Sequence, residues 1–298
     1  MKEIDVLILG AGWTSTFLVP LLTARSITHA ATTTTGRDST LKFKFDPTLP
    51  SQSYFSDLPT ARTVLIVFPL TGPGQSKLLT SSYTATHPKT RVPPRFIQLG
   101  STGIFQLPTD GTAATKDADK HSTTHWTTRH SEYNTSNPRA VAEDELLSLS
   151  GCVLNLAGLW GGARDPKHWV DKVASTKDKV REKKSLHMVH GEDVARAVVA
   201  VHERWTEGGF AGQRWMLTDG FVYDWWALFA GWADGAGDRA EGQGKGGEKQ
   251  TEQCKWVYEL MWEDGVRALP RSMEELGRCY DSREFWQKAQ ISPIKARI

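Results

Sequence analysis

The sequence predicts an α/β fold, a doubly wound parallel sheet with a small C-terminal lobe, and three observations predict it. Apolar runs of strand length alternate with amphipathic stretches through the first two-thirds of the chain, the pattern of βαβ units. The first of these runs ends in two closely spaced glycines that lead into a helical pattern. Beyond residue 220 the alternation gives way to a Gly-rich charged stretch and then to aromatic helical patterns. With 298 residues the chain can bury one large α/β core and append a smaller unit to it. The expected division is a sheet domain at residues 1–220, with an insertion at 108–137, and a substrate lobe at 221–298 that includes a flexible loop at 234–253.

Taken in order, the expected strands are 4–9, 30–34, 41–45, 63–68, 95–99 and 152–156, each short, apolar and rich in β-branched or aromatic residues. Helices are expected at 14–24, 75–84, 139–149 and 193–205; the last carries Val194, Ala197, Val198 and Val201 on one face. Pro20 falls inside the first helix, where it removes a backbone donor and crowds the preceding turn, so a kink is expected there. Residues 108–137 are rich in Thr, Ser, Asp and His and lack periodicity. Residues 234–253 are Gly-rich and densely charged, the composition of a mobile loop. After that loop, the apolar and aromatic stretches 256–262 and 282–289 read as a small C-terminal lobe packing beside the sheet.

Composition narrows the class of function. Apolar residues make up 39%, charged residues 23%, and the formal net charge is +2, so no strong field favours nucleic acid or a membrane surface. The N-terminal run is short, follows Glu3 and Asp5, and ends in glycine, as a strand does and a signal peptide does not. No stretch approaches the ~18 uninterrupted apolar residues of a membrane helix. Cys152, Cys254 and Cys279 are odd in number and scattered, which fits a reducing, cytoplasmic setting. The chain carries twelve tryptophans, most of them beyond residue 168; they suit either half-buried helix faces or the walls of an aromatic substrate pocket.

The glycines carry the first chemical expectation. Gly10-Ala11-Gly12-Trp13-Thr14-Ser15 directly follows a strand and opens a helix, the context of a Rossmann dinucleotide site. Gly10 permits the tight turn, Gly12 lets the backbone approach a pyrophosphate, and the helix N-terminus offers free amides and the positive end of its dipole. Ser15 stands where a third glycine is usual and is small enough for close helix–strand packing. An acid at the end of the second strand would bind a ribose 2′-hydroxyl; here the chain runs Thr32-Thr33-Thr34-Thr35-Gly36-Arg37-Asp38. Thr35 and Arg37 place a hydroxyl and a guanidinium where the 2′-phosphate of NADP would lie, so NADP is expected over NAD. Asp38 keeps NAD open, since a small shift of the turn would bring its carboxylate to the ribose.

Other motifs follow in order: Val67-Phe68-Pro69, Gln98-Leu99-Gly100-Ser101-Thr102-Gly103-Ile104-Phe105, Leu154-Asn155-Leu156-Ala157-Gly158-Leu159-Trp160-Gly161 and His190-Gly191-Glu192-Asp193. Together with the glycine turn, this series resembles the extended, atypical short-chain dehydrogenase/reductase family, in its epimerase/dehydratase-like branch, over nearly the whole chain. The resemblance implies cofactor contacts at Phe68 and Pro69 besides those of the turn. It also implies a catalytic Ser, Tyr and Lys: the tyrosine as acid/base, the lysine lowering its pKa and holding the nicotinamide ribose, the serine binding the substrate oxygen.

Ser101 matches the serine. The stretch from Asn137 to Leu147 matches the family's Y-x-x-x-K-x-x-x-E-x-x-L helix with Glu143 in the acidic slot, which puts Thr135 on the tyrosine and Arg139 on the lysine. A threonine hydroxyl is too weak an acid for proton donation near neutral pH, and an always-charged arginine holds a ribose without tuning a neighbour as lysine does. Tyr133, two residues earlier, and His130 are the alternative proton donors. Asp193 reads as the N-cap of the helix after it. His121, His125 and His130 share a segment but lack further ligands at metal spacing, so no metal site is expected.

These residues point first to an NADP-dependent oxidoreductase acting on a small organic carbonyl or alcohol, with Ser101, Tyr133 and Arg139 at the reacting centre. A non-catalytic NADP-sensing regulator or interaction protein is the second reading, and a cofactor-assisted epimerase, isomerase or dehydratase the third. The expected partners are the nicotinamide dinucleotide and a small-molecule substrate.

Overall fold

The structure, a computed structural model, describes residues 3–48, 53–88, 92–106, 126–233, 251–296 and 298. The chain begins with β1 (Ile4–Leu9), α1 (Ser15–Ala24), β2 (His29–Thr33), β3 (Leu41–Lys42), β4 (Ala61–Ile66), α2 (Gln75–Thr86) and β5 (Arg95–Ser101). It continues through β6 (Trp126–Thr127), α3 (Pro138–Ser148), β7 (Cys152–Leu156), β8 (Gly158–Trp160), α4 (Val170–Val173), α5 (Lys177–Glu182), β9 (Ser185–Leu186), β10 (Met188–His190), α6 (Gly191–Glu203) and β11 (Gln213–Leu217). The last stretch holds β12 (Tyr223–Asp224), α7 (Trp225–Gly231), α8 (Glu252–Glu263), α9 (Met273–Leu276), β13 (Cys279–Tyr280) and α10 (Arg283–Ala289).

Seven strands form one sheet in the order β11-β7-β5-β4-β1-β2-β3, and every neighbouring pair is parallel. The expected α/β doubly wound parallel sheet is therefore the observed one. β1 and the second half of β4, Val64–Ile66, are nearly all apolar because helices cover both faces, as buried parallel strands require. On one face Leu18 and Leu22 of α1 and Val194, Ala197, Val198 and Val201 of α6 pack against Val6, Ile8, Leu65 and Leu154. On the other, Leu79 and Tyr83 of α2 and Ala142 and Leu146 of α3 pack against Leu7, Leu9, Val64 and Val153. A third cluster joins α7 and α8 to Ala174, Val180 and Met188, while Phe285 and Trp286 of α10 return to the sheet's own core.

Several local expectations shift. α1 runs unbroken through Pro20. Pro20 and Thr16 are both exposed, so water can serve the carbonyl that loses its partner, and the expected kink does not break the helix. Only Leu41–Lys42 of the expected 41–45 strand pairs, at the sheet's edge. The apolar, aromatic stretch from 256 belongs to a helix that begins at Glu252, because the Thr251 hydroxyl accepts from the Cys254 N–H and caps it. Most of the expected loop, 234–250, and residues 108–125 of the expected insertion lie outside the described residues, and so do His121 and His125. No described helix is long and apolar enough to cross a membrane. Among the described residues no group of His, Cys, Asp and Glu could hold a metal ion.

Candidate functional site

Strand order reverses between β1 and β4: the chain moves outward from β1 through β2 to β3 on one side, then returns to β4 on the other. In open α/β sheets the crevice outside the carboxyl ends at such a switch is where ligands bind. The glycine turn lies there. Gly10 has φ +96°, a conformation for which glycine is suited, and a Cβ at this position would sit 3.2 Å from the Phe68 ring. Two bonds fix the turn to β2: the Gly10 N–H donates to Thr32 Oγ1 (3.0 Å) and the Ala11 N–H to the Thr32 carbonyl (2.6 Å).

Gly12 has nothing within 4 Å of where its Cβ would be, so the backbone is bare on its open side. Among the described residues, the Trp13 and Thr14 amides have no hydrogen-bond acceptor and no side chain caps α1. The Ser15 hydroxyl is buried without a partner. A pyrophosphate fits this set: a bare glycine, free amides at the positive end of a ten-residue helix and an unfilled hydroxyl. The Trp13 ring is held beside the turn by its indole N–H to the Gly161 carbonyl (2.9 Å) and by the Arg164 guanidinium 4.5 Å above it. Phe68 stacks on Phe45, and Pro69 is exposed at the rim.

Beyond β2, Thr33 Oγ1 accepts from the Gly36 N–H (2.9 Å) and the Arg37 N–H (3.2 Å), and Gly36 has φ +73°. This turn leaves Thr35, Arg37 and Asp38 exposed. Arg37 and Asp38 approach to 3.7 Å with side chains 70% and 87% exposed, a loose pair in water that leaves the guanidinium available.

Ser101 ends β5. Its hydroxyl accepts from the Gly103 N–H (3.1 Å) and caps the short turn Thr102–Phe105. Beneath it lies a buried carboxylate. Glu143 Oε1 accepts from the Ser101 N–H (3.3 Å), Oε2 accepts from Asn155 Nδ2 (2.8 Å), and Arg214 Nη2 approaches Oε2 to 3.4 Å. Burial pushes the Glu143 carboxyl above its ordinary range, opposed by the Asn155 bond and by the charges of Arg214 and Arg139. Arg139, one turn before Glu143 on α3, thus directs its charge at the group that holds Ser101. Gly100 gives this arrangement room, since a Cβ there would strike both Glu143 and Asn155.

Tyr133 belongs to the same neighbourhood with its proton already engaged. Its hydroxyl donates to Asp144 Oδ1 (2.9 Å), Arg214 donates to the same oxygen (2.9 Å), and the Arg214 guanidinium lies 4.3 Å above the ring. Thr135 is exposed in the turn before α3. His130 pairs with Glu284 at 3.0 Å on the surface. Asp193 is not the cap expected of it. His190 Nδ1 accepts from the Glu192 N–H and caps α6, while the fully buried Asp193 carboxylate accepts from the Ile294 and Lys295 N–H groups and pairs with Arg196 at 2.8 Å. The tail it anchors is a hundred residues away, out of reach of any local pattern.

Two residues near Ser101 escaped the sequence altogether. Tyr280 donates its hydroxyl to the Thr102 carbonyl (3.2 Å), and His187 Nε2 accepts from the Tyr280 N–H (3.0 Å). Burial drives the His187 imidazole down to about 3, so it is neutral. Neither residue stands in a recognisable motif.

No known family profile matches the chain, and no curated protein does. Solved structures match closely in fold. A functionally unknown conserved protein of Silicibacter pomeroyi superposes with a TM-score of 0.59 at 14% identity, covering 99% of this chain and 95% of that one. MoeE5 in complex with UDP-glucose and NAD gives 0.56 at 13%, covering 98% and 94%. The dTDP-glucose 4,6-dehydratase of Bacillus anthracis in complex with NAD gives 0.56 at 10%, covering 98% and 92%. The chain shares its α/β fold with these proteins and with the UDP-N-acetylglucosamine 4-epimerase of Bacillus cereus.

Proposed function

We propose that this protein binds NADP(H) at the glycine turn and is an oxidoreductase of the atypical short-chain dehydrogenase type, acting on a small organic carbonyl or alcohol. The observation that carries the reading is the turn itself: a bare Gly12, free amides and an unfilled Ser15 hydroxyl at the sheet's switch point. NADP, when bound, would supply hydride acceptance or, reduced, donation at its nicotinamide ring. Gly10, Gly12, Trp13, Thr14 and Ser15 would hold the pyrophosphate, Phe68 and Pro69 would border it, and Thr35 and Arg37 would take the 2′-phosphate. Arg139 would fix the nicotinamide ribose. Ser101, oriented by Glu143, would donate to the substrate oxygen. Tyr133 is the proton donor of this scheme, and Asp144 must first release its hydroxyl.

A second reading has its own observation. Tyr133 is engaged by Asp144 and Arg214, and Thr135 is exposed, as in a protein that binds NADP without turning it over. A third, cofactor-assisted epimerisation or dehydration, is favoured by the dehydratase and the sugar-nucleotide complex that share the fold. Calorimetry with NADPH and NADH, followed by a carbonyl panel read at the nicotinamide absorbance, separates these readings. Oxidation that falls at least tenfold in Tyr133→Phe supports the first; tight binding with no oxidation by either protein supports the second.

Arg37→Ala provides the cofactor test. It should weaken NADPH at least tenfold while leaving NADH within about twofold, a loss of at least ~1.4 kcal/mol at the 2′-phosphate alone. Equal weakening of both dinucleotides sinks the assignment.

A further inference from the structure

A cleft of about 550 Å³ opens at the carboxyl edge of the sheet, to the side of the nucleotide crevice. Register fixes its distance from the reacting centre. Ser101 on β5, Leu156 on β7 and Leu217 on β11 stand in one row. At ~4.8 Å between neighbouring strands, that row is about 10 Å long. The chain leaves β11 through Thr218 and Asp219, and Asp219 lines the cleft. Tyr280 is a wall shared with the reacting centre: it lines the cleft while its hydroxyl is bonded to Thr102, the residue after Ser101.

Two indoles, Trp126 and Trp286, are among the other walls, with Gly220, Ser282 and Pro293. Trp286 is fixed by its N–H to the Thr218 carbonyl (3.0 Å), whereas Trp126 is 50% exposed on a two-residue strand at the cleft's edge.

Charge supplies the second half of the argument. Asp281 and Arg283 neutralise one another at 2.6 Å. Asp219 is 4% exposed and, among the described residues, has no cation paired with it. One of its oxygens accepts from the Phe221 N–H (3.0 Å) and the other from the Tyr223 hydroxyl (2.5 Å), neutral donors that leave the carboxylate able to accept again. A buried carboxylate with neutral donors alone costs free energy that a ligand cation would offset. Burial has already pushed this carboxyl up to about 6.

We propose that the cleft is the substrate subsite and selects a planar aromatic amine, its ring lying against Trp126, Tyr280 and Trp286 and its ammonium group donating to Asp219. The inference rests on the nucleotide-site reading above for its reacting end, the carbonyl or alcohol at Ser101 on β5, two strands along the sheet from β11.

The test compares tryptamine with indole-3-propionate, the same ring with opposite charge, by calorimetry on the full chain with and without saturating NADPH. Tryptamine should bind saturably at pH 7.5, at least tenfold more tightly than the propionate. It should weaken at least tenfold in both Asp219→Asn and Trp126→Ala, and weaken again at pH 5, where Asp219 is protonated. Trp126 is half exposed, so its replacement keeps the test meaningful if the Asp219 variant folds poorly. Propionate binding as tight as tryptamine, affinity unchanged in both variants, or no binding of either probe overturns the proposal. NADPH titrations of the same proteins report on the glycine turn separately. Loss of NADPH binding with tryptamine binding intact defeats the nucleotide reading and leaves the amine subsite standing.

Discussion

Asp219 shows how one residue's surroundings set a measurable property. Its folded carboxyl is raised to about 6 by burial, against an ordinary ~3.9 in the unfolded chain. The folded protein therefore holds this proton more tightly, and stability falls as pH rises from about 4 to about 6. Asp219→Asn removes that dependence while keeping a group able to bond both the Phe221 N–H and the Tyr223 hydroxyl. Relative to wild type, the variant should gain up to about 2–3 kcal/mol between pH 4 and pH 7, at 1.36 kcal/mol per pH unit. Urea unfolding of both proteins at the two pH values reads the difference directly; a gap independent of pH would show that the carboxyl is not desolvated. At the same scale, the tight turn at Gly10 was legible because glycine's backbone freedom is intrinsic to the residue, and Gly10 has φ +96°. What Tyr133 does was not legible, since Asp144 and Arg214 decide where its proton points.

At the level of elements, α1 and α6 pack closely because Gly191 lacks a side chain. A Cβ there would run into the Phe17 ring, which also packs against His190 and Trp13. Gly191→Ala should destabilise by about 1–3 kcal/mol through overpacking, lowering the midpoint of thermal unfolding by several degrees. Because α1 carries the glycine turn, NADPH affinity should fall with it; an alanine variant with wild-type stability and affinity would mean that Phe17 moves aside freely. The strands and helices of the sheet domain were readable from period and composition. Their ends were less so. Thr251 caps α8 five residues before the aromatic stretch, and the Asn137 side chain accepts from the Arg139 N–H to start α3 with Pro138 in its first turn. Caps depend on which backbone amides are left over, and that is settled as the helix forms.

For the molecule as a whole, the C-terminal part is tied in at separate places. Arg271 pairs with the fully buried Asp224 at 2.6 Å, donates to the Lys183 carbonyl and lies 4.0 Å from the Trp226 ring. Asp193 grips the tail, and α10 enters the sheet's core. Arg271→Ala strands the Asp224 carboxylate and should cost about 3–5 kcal/mol. With α10 sharing the main core, tryptophan fluorescence and far-ultraviolet circular dichroism should report one coincident unfolding transition in wild type. Two separated transitions would show that the C-terminal part is energetically independent of the sheet.

The sequence by itself determined the parallel sheet and the glycine turn, because strand period and glycine conformation are local properties of the chain. Tertiary structure alone decided that Glu143 sits under Ser101, that Asp193 holds residues 294 and 295, and that Tyr280 closes the space beside Thr102. Those contacts join positions from about 40 to nearly 180 residues apart. Their energy comes from burying polar groups against one another, a cost and a gain that exist only after the chain has excluded water from both.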